Sequence, residues 1–416
     1  MPTIIHAGTL IDGTGRDPIH ETAITIDGGR IIGVGRGSGA RPRDGDDIWD
    51  CRHLTLLPGF IDAHVHLNFN AGPTNEDVIA TLERENEAQL ALRAIGNAQD
   101  ALRAGVTTVR DCGGRGLVTF SVRDAVAGGL VTGPRILVCG MPITTTLGHC
   151  HYCGLIADGT DAARAAAQAM CEHGADFVKV MASGGMMTAT SDPLRPQYSL
   201  EALQAIVGVA RRFRRPVAAH ALNTETIRRA VDAGVDTIEH CLWQAADWSF
   251  EPDEEVITKI ASRRIYVGST SSGIVRALMP DPGDAPDVQA EKRAAFIKRF
   301  QGERLMRSMG VPILIHTDAG VRHTPFREFG QAIECGAAGI GLTPIEAIRS
   351  VTQIPAEALG LGDDLGTIEP GKRADLIAVE GDVTTDLTAV RRVRAVWRDG
   401  RMVVADGNLT SGHWAQ

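Results

Sequence analysis

Eight short apolar runs recur through the middle of the chain, and no other feature limits the fold as strongly. They are GFIDAHVHL (59–67), VTTVRDCGG (106–114), RILVCGMPI (135–143), DFVKVMASGG (176–185), PVAAHAL (216–222), DTIEHCL (236–242), RIYVGSTS (264–271) and VPILIHTDAG (311–320). Ala/Arg/Glu-rich stretches of helical character separate them. Several runs follow a helix-like segment that closes on glycine, as in RAGVTTV, EHGADFV, DAGVDTI and SMGVPIL. Glycine readily adopts the left-handed conformation that ends a helix, and an apolar run directly after it reads as a buried strand. Strand–helix alternation predicts the α/β class with a parallel sheet. Eight such units predict a (β/α)8 TIM barrel, typically about 250 residues before insertions.

The two ends have a different texture. Residues 3–57 and those after 365 carry short β-branched runs broken by Gly and Asp, with DGGR and RDGR as hairpin turns. Residues 1–57 and 366–416 are therefore expected to form one small β-sandwich domain, interrupted by a barrel spanning 58–365. The 47 glycines and the aromatic content of only 4% suit tight turns and an Ala/Val-rich core. A hydrophobic fraction of 44% with 22% charged residues excludes disorder as the main state. One stretch breaks the rhythm: residues 273–309 hold Pro280, Pro282 and Pro286 ahead of a long helical segment. A connection of that length reads as an active-site lid.

Several partner classes are disfavoured. A net charge of −9 leaves no excess of cations for phosphate neutralisation, so no nucleic-acid partner is expected. No window approaches the ~20 apolar residues of a membrane span, so no membrane partner is expected either. The opening MPTIIHAGTLIDGTGRD lacks a basic segment leading into a long apolar core, as a secretory signal would have. Eight scattered cysteines do not resemble a disulfide framework, and a reducing cytoplasm is the simplest location.

The polar residues at the strand ends carry the chemistry. Run one ends in His64-Val65-His66, and positions i and i+2 of a strand share a face, so both imidazoles can address one point. Lys179 lies between Val178 and Val180 in run four, where an unpaired ammonium would be costly. Run five ends in His220, run six in His240 and run eight in Asp318. A single such residue would read as a satisfied polar group in the core. Six on one face read as a metal site.

With GFIDAHVH, the run-four Lys, the run-five and run-six His, the run-eight Asp and the tail segment PGKRADLIAV, the chain resembles the amidohydrolase superfamily, in its two-metal branch. The likeness covers essentially the whole length. It implies that His64, His66 and Asp318 hold the more buried metal and that His220 and His240 hold the more exposed one. Lys179 would bridge the two as a carbamate formed with CO2, which replaces an ammonium lacking a lone pair with two anionic oxygens. Zinc is the ion the His/carboxylate set favours. The implied reaction is hydrolysis by a hydroxide bridging the metals, with Asp318 moving its proton to the leaving nitrogen. A homo-oligomer is also implied.

The segment Thr144–Cys153 (TTTLGHCHYC) should overhang the barrel mouth. Cys150 and Cys153 are too few ligands for a structural zinc. The dipeptidase-like relatives present a histidine to the substrate from a similar turn, which makes His149 the matching position and His151 a weaker second. The next loop, residues 183–199, offers Met186, Met187, Arg195 and Tyr198 as substrate contacts. Several peptide-cleaving relatives carry Tyr two residues after the run-five His, where this chain has Leu222, and that departure counts against a plain dipeptidase. Arg110 and Asp111 are expected to brace the site, Glu239 to be structural on the opposite strand face, and Arg391, Arg392 and Arg394 to form a solvated face.

These readings lead to a small-molecule substrate and an amide (C–N) hydrolase acting on dipeptides or N-acyl amino acids. An aryl amide, phenylurea or carbamate is the close alternative, which Leu222 and the Met-rich loop suit. An imidazolone-type cyclic amidohydrolase or deaminase needs no bridging Lys, and a non-catalytic scaffold would tend to lose ligands that are all present here.

Overall fold

The structure is a computed structural model that describes residues 2–35, 47–281 and 283–410; Pro282 and the rest of the two end segments lie outside the described residues. All eight apolar runs contain parallel strands. We number these strands β1 (Phe60–Val65), β2 (Val106–Asp111), β3 (Arg135–Val138), β4 (Val178–Met181), β5 (Val217–Asn223), β6 (Thr237–Gln244), β7 (Tyr266–Thr270) and β8 (Ile313–His316). β1 pairs with β2 and β2 with β3, while β4 through β8 pair in chain order. Two short links join these groups. The Asp176 N–H donates to Val138 O at 2.8 Å, ahead of β4, and the Asp318 N–H donates to His64 O at 2.9 Å, after β8. The result is an α/β arrangement in which each strand meets the next and the eighth reaches the first.

The glycines expected to close helices do so. Gly105, Gly174, Gly234 and Gly310 all have φ between 82 and 87°, the left-handed region where a Cβ is strained. Behind three of them the next N–H reaches back into the helix: Ala175 to Met170 O, Val235 to Ala230 O and Val311 to Met306 O. This is the closure of a Schellman motif, and it turns the chain directly into the buried strand. The interior is filled by Ala, Val and Ile from both strands and helices.

The chain ends share one eight-stranded sheet. Residues 3–10, 19–27, 30–35 and 47–58 supply one half, and 376–379, 393–398, 401–405 and 408–409 the other. The halves join where Leu376–Val379 runs antiparallel to Thr55–Pro58. Both anticipated hairpins form, pairing Asp27 with Arg30 and Arg398 with Arg401. Trp397, Ile5, Ile24, Leu56 and Leu376 form its separate core. Among the described residues no helix is long and apolar enough to cross a membrane.

One buried ion pair fastens this sheet to the parallel strands. Arg135 at the start of β3 donates to Asp375 Oδ2 at 2.7 Å and to Asp399 Oδ1 at 3.0 Å. The Asp375 side chain is only 4% exposed, so removing its cation strands a buried charge. Arg135→Ala should lower unfolding stability by roughly 3 kcal/mol, read as a fall in the denaturation midpoint.

Candidate metal centre and active site

β1, β4, β5, β6 and the turn after β8 deliver His64, His66, Lys179, His220, His240 and Asp318 to one cavity of about 320 Å³. His64 Nε2 and His66 Nε2 lie 3.4 and 3.2 Å from Asp318 Oδ1. One donor atom from each of these three residues falls within 4.8 Å of the others. The His220 ring lies 4.7 Å from that of His240, which is itself 5.3 Å from His64. Lys179 Nζ is fully buried in this group and has no hydrogen-bond partner among the described residues.

Each imidazole commits one nitrogen to the protein and keeps the other for a ligand. His64 Nδ1 faces Glu239 Oε2 at 3.3 Å, His66 Nδ1 faces Gly113 O at 2.6 Å and His240 Nδ1 faces Thr270 Oγ1 at 2.6 Å, all leaving Nε2. His220 is reversed: Nε2 lies 3.1 Å from Gly184 O. Burial, reinforced by neighbouring cationic groups, holds His64, His220 and His240 well below the ordinary imidazole range, so they are neutral donors. Burial opposes ionisation of Asp318, but His64 and His66 outweigh it and keep the carboxyl ionised. Asp318 instead shifts His66 upward against its burial; the neutral imidazoles of His64, His220 and His240, an ionised carboxylate and an orphaned lysine form a donor set that fits divalent cations.

The backbone bends to make this possible. His240 and Asp318 have φ of 70 and 61°, a left-handed conformation that is rare for non-glycine residues. Cys241 and Trp243 share it, and the β5–β6 register slips between Ala221 and Asn223. β6 therefore does not alternate simply. Glu239, expected to be structural on the far face, instead points inward while the bulge carries His240 to the same cluster. Glu239 Oε2 lies 3.3 Å from His64 Nδ1 and 3.4 Å from His316 Nε2. Its Oε1 accepts from Arg110 Nη2 and from Thr237 Oγ1, each at 2.6 Å. Burial works against this carboxylate, yet Arg110 and Lys179 bring its pKa down to about 2. Arg110 also donates to Ala63 O at 2.6 Å, and Asp111 Oδ1 accepts from the Leu67 N–H at 2.8 Å, so both brace the segment carrying the first histidines. His316 and the role of Glu239 are what sequence reasoning missed.

His149 is beside the cluster, its ring 4.5 Å from that of His220. Its N–H donates to Gln197 Oε1 at 2.6 Å and its Nδ1 lies 3.3 Å from Thr188 Oγ1. Met186, Met187 and Leu222 line the same cavity, joined by Ile274, Val275 and Leu278 from the segment expected to form a lid. Three other candidates do not line it. The exposed Arg195 pairs with Asp192 at 3.0 Å, the buried Tyr198 hydroxyl donates to Ala157 O at 2.9 Å, and His151 turns its Nδ1 back to Gly148 O at 3.0 Å. Arg195 and His151 are taken up by their own loops, and Tyr198 by the backbone at Ala157. Cys150 and Cys153 are free buried thiols.

Glu239→Gln keeps the shape but leaves Arg110 buried without its anion and weakens the hold on His64. A loss of about 3–5 kcal/mol in stability is expected. A separate fall of about 10–100-fold in metal affinity should appear in chelator competition.

The amidohydrolase family profile matches residues 55–403. Ochratoxinase of Aspergillus niger is 28% identical over 100% of this chain and 88% of that protein. Imidazolonepropionase of Streptomyces griseus is 24% identical over 95% of this chain and 96% of that protein. A crystal structure of a Xaa-Pro dipeptidase with bound methionine superposes with a TM-score of 0.83 at 30% identity, covering 97% of this chain and 99% of the other. The chain belongs to the amidohydrolase family and is a hydrolase acting on carbon–nitrogen bonds.

Proposed function

We propose that this chain is a binuclear metal-dependent hydrolase that cleaves the amide bond of a dipeptide or N-acyl amino acid. We read β1–β8 as a closed (β/α)8 barrel over residues 58–365, with 1–57 and 366–416 forming a small β-sandwich. The observation that carries the functional reading is Lys179. A fully buried amine among histidines, with no hydrogen-bond partner among the described residues, is costly unless something else answers it. Carboxylated by CO2, it would become an anion able to ligate divalent ions. His64, His66 and Asp318 would hold the first ion, and His220 with His240 the second. Two such ions, zinc by the donor set, would supply Lewis acidity and acidified water at neutral pH.

The chain's own residues do the rest. Asp318 would take a proton at its carboxylate and return it to the leaving nitrogen, a role that its place in the cavity beside His64 and His66 allows. His149 would present Nε2 to the substrate oxygen, with Nδ1 held by Thr188. Met186, Met187 and Leu222 would exclude water from the scissile bond. The apolar wall also favours a second reading with the same chemistry, in which an aryl amide, phenylurea or carbamate is cleaved.

Elemental analysis of the purified enzyme should find two divalent ions per chain. Lys179→Ala should reduce that number and abolish turnover; two ions with unchanged activity would refute the bridge. Asp318→Asn should keep most of the metal while losing roughly 10²–10⁴-fold in turnover, and full activity would remove Asp318 from the proton path.

A further inference from the structure

On the cavity wall beyond the ligand cluster, an arginine has no partner for its charge among the described residues. Arg322, four residues past Asp318, is half-buried and lines the cavity wall. No partner for its guanidinium is found among the described residues, where its only bond is a backbone one, Thr324 Oγ1 donating to its carbonyl. Arg299 on the same wall is different, because it donates to Glu303 Oε1 at 2.7 Å and to Thr270 O at 3.1 Å. Among the described residues lining the cavity Asp318 is the one carboxylate, and His64 and His66 already face it. Two buried acceptors on the wall are also unfilled: Asn75 Oδ1 and Gln244 Oε1.

The apolar residues around these groups lower the local dielectric, which raises both the cost of an unanswered charge and the gain from answering it. A guanidinium has five donors and no acceptor, in a fork matched to carboxylate. The unfilled acceptors call for an N–H. A carboxylate and an N–H on one small molecule with apolar flanks describe an amino acid joined through its nitrogen.

We propose that Arg322 anchors a free carboxylate on the substrate, so that amides of amino acids with an open carboxyl end are preferred to neutral amides, ureas and carbamates. This assigns Arg322 the carboxylate that Leu222, with no polar atom, cannot hold. The inference rests on the hydrolase reading above for its meaning as substrate selection, but its test does not depend on turnover.

The probes are N-benzenesulfonyl-L-leucine and the corresponding alcohol, N-benzenesulfonyl-L-leucinol. Both resist amide hydrolysis, keep the N–H and differ in the carboxylate. Calorimetry on the metal-loaded enzyme should show the acid binding at least about tenfold more tightly than the alcohol, the scale of a charged hydrogen bond. Arg322→Gln should reduce that ratio to within about threefold, and Arg322→Lys should restore part of it. Retention of the full ratio in Arg322→Gln would place the carboxylate elsewhere, on the metals for example, and overturn the proposal. Equal binding of acid and alcohol by the unaltered enzyme, or no binding of the acid, would also overturn it. Failure of the hydrolase reading would show separately, as no cleavage of N-benzoyl-L-leucine by an enzyme that binds the acid.

Discussion

The carboxylate of Glu239 sits where four strands meet, and the arrangement above it depends on that charge. Arg110 reaches it from β2, Thr237 from β6, His64 from β1 and His316 from β8. An anion with no exposure is costly to bury, and this one is tolerated because its oxygens face a guanidinium, a hydroxyl and two imidazoles. Its consequence is geometric. With Nδ1 of His64 held from below, Nε2 is directed up toward Asp318. Gly268 on β7 leaves the space this requires, since a Cβ there would lie 2.5 Å from His316 Nε2 and 2.7 Å from Glu239 Oε2.

That floor also accounts for the strained backbone above it. A regular strand sends residues 239 and 240 to opposite faces. Here both serve one cluster, and left-handed conformations at His240, Cys241 and Trp243 make the turn. Such conformations cost of order 1–3 kcal/mol each and persist where surrounding contacts over-determine them. The Glu239 network on one side and the fully buried Trp243 ring on the other supply those contacts.

Much of this was legible in the sequence, for reasons that differ by residue. The strands could be read because parallel strands buried on both sides are continuously apolar, and the glycines marked where each helix stops. The six candidate ligands stood out because a polar residue interrupts each of those runs. Glu239 was misread because the alternation rule places it opposite His240, and a bulge in β6 is not encoded in residue spacing. His316 looked like part of an apolar run. Tyr198, Arg195 and His151 could be placed on the right loops but not given a direction, since loop side chains turn toward whichever partner the local fold offers, such as Ala157 O for Tyr198. His149 differed from its neighbour His151 only by its likeness to relatives.

The vertical order of the site separates its two tasks. Below, Glu239, Arg110 and Thr237 satisfy one another, although both ring nitrogens of His316 lack a hydrogen-bond partner among the described residues. Above, Met186, Met187, Leu222 and Ile274 surround polar groups that remain unmatched. The bonded core of that floor, Glu239 with Arg110 and Thr237, can hold ligand atoms in fixed positions. An unmatched wall can be completed by a bound molecule, and the selection of substrate we propose would lie there. Because the two layers share few residues, the wall can change its chemistry while the floor keeps its geometry.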